Sequence, residues 1–447
     1  MEFRKSVSGR LVLMTALGIA ALSGCSKGDQ GQSGEQGAAS TPVAGPTQPV
    51  TVKIAGPANW FPEQEWNDYF IKPVQAKYPN IKVELTNVPT NTDANWDALV
   101  ASGIKPDIVI GATVSMIVQG SRGLLQDMEP LLKKHKFDLS RIDDAGVQSV
   151  KLMNGGTLAG IPFTVHFGAL YYNRDLFDKF GVSYPKDGMT WEDARELAKK
   201  VTRKDGDVNY YGLTTDNPQR VASMLSLPLV NPATLKANVS NDAWKRVFET
   251  LKSIYDIPGN WAPPGAKTLT SEANFREYFQ KGQLAMLVGQ NWLDLLAPQN
   301  TSINWDLAGM PTFKEAPGKG FRHDSWYIAV SKTSSNPDAA YYVLETLLSD
   351  EVQTQFARNA RLMTIKNESL RKEFGANLPY LKGKNLNAIY ATRPVAISGS
   401  YAYENNLTGT ITTALTNLMD QKVPDINTAL RQAEDSINKF IDEQSKR

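Results

Sequence analysis

Cysteine is all but missing: Cys25 stands alone in 447 residues. A disulfide framework is therefore excluded. Histidine is nearly as scarce. His135, His166 and His323 lie far apart and lack the spacing of metal ligands. No phosphate loop, dinucleotide glycine fingerprint or Gly-x-Ser-x-Gly elbow follows any strand-like run. Charge of one sign is also lacking, with a net of +2 over the chain. Glu2 against Arg4, Lys5 and Arg10 accounts for that excess, so the remainder is close to neutral. This balance gives no electrostatic footing for nucleic acid or for general adhesion to membrane headgroups. Nor does any apolar run reach the roughly 18–20 residues of a membrane span.

What the chain does have begins at its start. Behind Arg4, Lys5 and Arg10 lies the apolar run Leu11–Leu22. It has the length of a secretory h-region. It ends in Leu22-Ser23-Gly24-Cys25, which resembles the bacterial lipobox, where the chain is cut before a cysteine that is then acylated. A lone cysteine at this junction is better explained by lipidation than by an ordinary secretory signal with an incidental cysteine. Residues 1–24 then read as a lipoprotein signal peptide and Cys25 as the lipidation site. Residues 25–49 are rich in Gly, Ser, Gln, Thr and Pro. Such a stretch cannot bury enough apolar surface to fold and reads as a flexible leash. The expected location is the cell membrane, lipid-anchored, on its extracellular or periplasmic side.

From Val50 the pattern alternates between strands and helices. Val50, Val52 and Ile54 alternate, as do Ile81, Val83 and Leu85. Trp66, Tyr69, Phe70 and Val74 recur at helical spacing, with Pro73 marking an irregularity. The run from Asp107 to Gly111 reads as a central parallel strand. Thr190 and Asp193 form a capping-box pair ahead of a helix. Asn336 and Pro337 suit N-cap and N1 of another. Two amphipathic helices are predicted over 407–419 and 426–441. The fold class is α/β, with helices on both faces of the sheets.

Several segments together resemble the sugar-binding family of extracellular solute-binding proteins of ABC importers, which includes maltose-binding protein. Gly160-Ile-Pro-Phe163 followed by Leu170-Tyr-Tyr-Asn-Arg-Asp-Leu-Phe177 is the most specific of them. Met189-Thr-Trp-Glu-Asp193, the run from Phe279 to Met286 ending at Trp292, Met310–Lys314 and Ala329–Lys332 continue it in order. The resemblance covers roughly residues 50–440. It implies a two-lobed, type II periplasmic-binding-protein-like fold with a ligand cleft between the lobes. Lobe 1 is expected over 50–163 and 321–393. Lobe 2 is expected over 164–320, with the C-terminal helices of 394–447. Crossings are expected near 162–165, 320–325 and 393–398. A carbohydrate ligand, a monomeric state and permease subunits as partners are expected with the same resemblance, and no cofactor is.

A sugar offers apolar C–H faces and a rim of hydroxyls, so its site needs aromatic plates and oriented polar groups. Trp292 falls where the family places an aromatic platform, and packing in the core is its alternative. His166 falls where the family often has a polar residue just after the first crossing. Asn59 and Trp60 follow the first strand, at the edge where open α/β sheets bind ligands. Thr113 and Ser115 follow the 107–111 strand in the same way. His323, Asp324 and Trp326 lie at the second crossing, and Tyr401 and Tyr403 follow the third. Asp216 and Asn217 occupy a loop that could also reach the cleft.

Enzyme readings find little support. Asp143-Asp144 sits in a polar stretch and reads as solvated. A pair of cleft carboxylates acting as a glycoside hydrolase is the remote alternative. The nearer alternative is a binding protein for a non-sugar solute, whether peptide, polyamine or metal ion.

Overall fold

Alternation in the first strand sets the frame of the molecule. In the computed structural model, Val52 and Ile54 are buried and Lys53 is exposed, as one polar face per strand predicts. The structure describes residues 45–446, except 90, 91, 263–265 and 400–403. Cys25 and the signal segment lie outside the described residues, as do Tyr401 and Tyr403.

The strands in chain order are β1 (Val50–Gly56), β2 (Ile81–Asn87), β3 (Ile108–Ala112), β4 (Ile161–Val165) and β5 (Gly168–Asn173). Next come β6 (Arg203–Asp205), β7 (Val208–Thr215), β8 (Val230–Asn231), β9 (Lys236–Ala237) and β10 (Leu284–Gln290). The last are β11 (Trp305–Ala308), β12 (Lys319–Arg322), β13 (Ser325–Val330), β14 (Leu362–Met363) and β15 (Arg393–Val395).

Two sheets define two lobes. The first has the order β14-β4-β13-β3-β1-β2 and the second β11-β5-β10-β7-β6. Each carries its own hydrophobic core. β3 is interior, parallel to β1 and antiparallel to β13. It is buried along most of its length, which is why its sequence is a continuous apolar run.

Helix signals in the sequence appear where the local chemistry requires them. The Thr190–Asp193 capping box forms ahead of the helix Trp191–Val201. Ahead of Pro73, residues Asn67–Ile71 form a π-helical turn; a proline lacks the N–H that a regular ladder needs. Pro337 stands in the first turn of the helix Pro337–Leu347, although the Asn336 side chain makes no cap bond. The two late helices run over Glu404–Met419 and Ile426–Gln444 and pack against each other in the second core.

The chain passes between sheets at His166–Phe167, from β4 to β5, and at His323–Asp324, from β12 to β13. A third passage runs from β15 past Ile397, buried in the first core, to the helix Glu404–Met419. The stretch from Phe374 to Ile389 adds a further tie. Gly375 N donates to Ala357 O at 2.8 Å beside the first lobe. Asn385 N donates to Asp306 Oδ1 at 2.8 Å, and Phe374, Leu381 and Ile389 sit in the second core.

Candidate functional site

On the first lobe, β1 ends at Gly56. A Cβ there would lie 3.1 Å from Ile110 Cβ, so a larger residue would require β3 to give by a few tenths of an ångström. One 3-10 turn, Ala58–Trp60, follows at the strand edge. It brings Trp60 against Trp326, the second residue of β13, with ring centroids 4.2 Å apart and a 43° tilt. Both indoles are half-buried, whereas Phe61 behind them is fully buried and meets Trp326 edge-on at 4.8 Å. Arg361 covers the Phe61 ring at 4.6 Å and donates from Nε to Glu65 Oε2 at 2.9 Å. Asn59 is exposed beside this aromatic pair.

The two crossing segments meet next to it. His166 N donates to Asp324 O at 2.9 Å, and the imidazole lies 6.3 Å from Trp326. The Asp324 carboxylate accepts from Arg322 Nε at 3.1 Å and from Gln290 Nε2 at 3.3 Å, and lies 3.5 Å from Arg220 Nη1. Gln290 is the last residue of β10. Arg220 lies four residues beyond Asp216, to which its Nε is paired at 3.2 Å. Arg322 also faces Glu404 at 3.5 Å, and Gln219 Nε2 donates to the same carboxylate oxygen at 2.7 Å. Buried charges persist only when they are compensated, and each charged member of this group has a partner of opposite sign within 3.5 Å.

Titration follows the same logic. Burial works against the charge of Asp324, yet Arg322 and Arg220 more than offset it and hold the carboxyl below its ordinary range. Burial pushes Glu404 up, with Arg322 opposing. Burial also lowers His166, against the pull of Asp324, which favours the neutral imidazole with one donor and one acceptor nitrogen.

The structure thus brings Asn59, Trp60, His166, Asp324 and Trp326 to one place, at the edges of both sheets. Other expected residues lie elsewhere or turn inward. Thr113 is fully buried and its hydroxyl meets Ser325, at 3.0 Å from O and 2.7 Å from Oγ. It stitches β3 to β13. Ser115 is buried in the following turn. Trp292 is 6% exposed in the second core, 5.2 Å from Phe275 and 5.9 Å from Tyr171, whose hydroxyl accepts from Trp292 N. The indole fills the space over Gly289, where an added Cβ would be 1.9 Å from its ring. His323 is buried against Gly146 and reaches Asp143 at 3.3 Å, a hinge contact. Asn217 caps the short helix Pro218–Ser223 by accepting from Arg220 N.

Sequence reasoning missed Arg220, Gln290, Arg322, Arg361, Glu65 and Glu404. Arg220 was within reach, since it stands one helical turn beyond Asp216. Gln290 ends β10, two residues before Trp292, and carries no signal of its own in the sequence. Arg361 and Glu65 are remote in sequence and carry no short-range signal. Among the described residues no group of three or more His, Cys, Asp or Glu could hold a metal ion. No helix among them is long and apolar enough to cross a membrane.

Two α/β lobes, joined by crossing segments and sharing a polar and aromatic site at facing sheet edges, define a solute-binding protein. The chain belongs to the bacterial extracellular solute-binding protein family, whose profile matches residues 62–354. A Deinococcus radiodurans protein described as a "probable ABC transporter-binding protein" is 26% identical over 307 residues, 64% of this chain and 69% of that one. Solved structures share the fold. A sugar transporter of Rhizobium etli in an open conformation superposes with a TM-score of 0.71 at 20% identity, covering 87% of this chain and 99% of the other. The sugar-binding protein MalE of Xanthomonas citri gives 0.69 at 19% identity, covering 89% and 98%. The family is one of binding proteins, and these likenesses match the fold class and family expected from the sequence.

Proposed function

We propose that this chain is the saccharide-binding component of an ABC importer, tethered to the outer face of a membrane through a lipid on Cys25. The observation that carries the reading is the half-exposed Trp60–Trp326 pair beside the polar group of His166, Gln290, Arg220 and Asp324. The indoles supply a flat apolar face for sugar C–H groups, and the polar group supplies donors and acceptors for hydroxyls. The Deinococcus relative supports the importer assignment, and the sugar-binding structural neighbours support the ligand class. An oligosaccharide suits a site that extends from the aromatic pair to the hinge. Ligand that touches both sets of residues favours the state in which they are closest, and that change of shape is what permease subunits can read.

A thermal-shift screen against mono- and oligosaccharides tests this. Ligand at about 100 times its Kd adds roughly 2.7 kcal/mol to the native state. A rise in Tm with a saccharide supports the reading. A flat response to every saccharide, with a rise for peptides or polyamines, replaces it with the non-sugar alternative.

A further inference from the structure

The site contains three guanidiniums and four carboxylates, and none of the guanidiniums stands free of an acid. Arg361 is paired with Glu65, Arg220 with Asp216 and Asp324, and Arg322 with Asp324 and Glu404. The five hinge-side members are each between 10% and 19% exposed, so they are largely shielded from bulk water. With all four carboxylates ionised the group carries one negative charge in excess. His166, held neutral by burial, adds no positive charge at neutral pH. One donor is nevertheless uncommitted. Arg220 Nη1 is buried and makes no hydrogen bond, although Asp324 lies 3.5 Å away.

This arrangement treats neutral and anionic ligands differently. A sugar hydroxyl can meet the exposed edge of this group without breaking an ion pair, because each guanidinium charge is already compensated. A carboxylate or phosphate gives up strong hydration on entering and meets cations that two acids already share. To gain an ion pair it must displace Asp216 or Asp324 from Arg220, leaving that acid buried and unpaired. Like charges brought together at a partly buried contact disfavour the wrong partner.

We propose that Asp216 and Asp324 are specificity-determining residues of the cleft, which admit uncharged saccharides and reject acidic or phosphorylated ones. The inference rests on the saccharide reading above. In it, the two acids set the charge that a ligand beside Arg220 is allowed to carry.

The test is calorimetric titration of the purified protein at neutral pH with matched pairs. Glucose, cellobiose and maltotriose are set beside glucose 6-phosphate, glucuronic acid, cellobiouronic acid and phosphorylated maltotriose. The neutral member of a pair is expected to bind at least about tenfold more tightly than its anionic counterpart. Its affinity should hold between low and high NaCl, since no net charge is transferred. Asp216→Asn should narrow the gap by at least about threefold, by improving the anionic member more than the neutral one. Asp324→Asn should act in the same direction and serves as a second reporter if the first variant folds poorly. An anionic member that binds wild type as tightly as its neutral partner overturns the inference and leaves the saccharide reading standing. A gap that neither variant narrows overturns the assignment to these two acids. Failure of every saccharide to bind overturns the reading beneath it, and this inference with it.

Discussion

Trp60 and Trp326 lie 4.2 Å apart between ring centroids, one from the turn after the first strand and the other from a strand reached only after the chain has crossed between lobes and returned. Both keep part of their surface open, while Phe61 beneath them is sealed. Trp292 differs in kind. It is buried among Phe275 and Tyr171 over the bare backbone of Gly289.

That contrast predicts a split between stability and binding. Trp292→Ala should destabilise the second lobe by about 3–5 kcal/mol, the usual cost of removing a large buried aromatic. Gly289→Ala should also destabilise it, because the indole occupies the position of the new methyl. Trp60→Ala should cost clearly less. Urea unfolding of the three variants measures this, and a Trp292→Ala protein as stable as wild type would remove the indole from the core.

Acidification should weaken the fold through His166. Burial depresses its folded pKa below the ordinary value near 6.5. The unfolded chain therefore binds a proton first as pH falls, so stability is full above about 6.5 and is lost as pH drops toward the folded value. Glu404 acts with the opposite sign. Its raised folded pKa favours the native state below about 4.3 and loses that contribution as pH rises through the folded value. His166→Asn should flatten the pH dependence of the urea midpoint between about pH 5 and 7. An unchanged slope in that variant would assign the dependence to other groups.

The strand alternation at Val50–Gly56 and the Thr190–Asp193 capping box were legible because the residues that fix them are neighbours in sequence. The aromatic half of the site was legible for a related reason: Trp60 and Trp326 stand next to strand ends, and strand ends are where such sheets hold ligands. Position alone does not give side-chain direction, however. Thr113 has the right position and points its hydroxyl at Ser325. Trp292 follows an apolar strand as a platform residue would, and only Gly289 hints that its ring folds back. The paired charges were illegible because Arg361 with Glu65, and Arg322 with Glu404, are joined by the fold rather than by spacing.

Cys25→Ala should release the protein from the membrane fraction into the medium or periplasm with its unfolding curve unchanged, because Cys25 precedes β1 and both hydrophobic cores. Fractionation followed by immunoblotting checks this. A variant that remains with membranes contradicts the lipid anchor.

Closure of the lobes should follow binding. A ligand that touches Trp60 and Trp326 on one side and Arg220 and Gln290 on the other favours the arrangement that brings them together. Small-angle scattering at saturating saccharide should give a smaller radius of gyration than the free protein. Equal radii, together with equal distances between spin labels placed on the two lobes, would contradict a clamp.

The most direct measurement is isothermal titration calorimetry of wild type beside Trp60→Ala, with the saccharide that gives the largest thermal shift. The account predicts one site per chain in wild type and a loss of at least about tenfold in affinity, or ~1.4 kcal/mol, in the variant. Equal affinities in the two proteins, or no heat of binding from any saccharide in wild type, would contradict it.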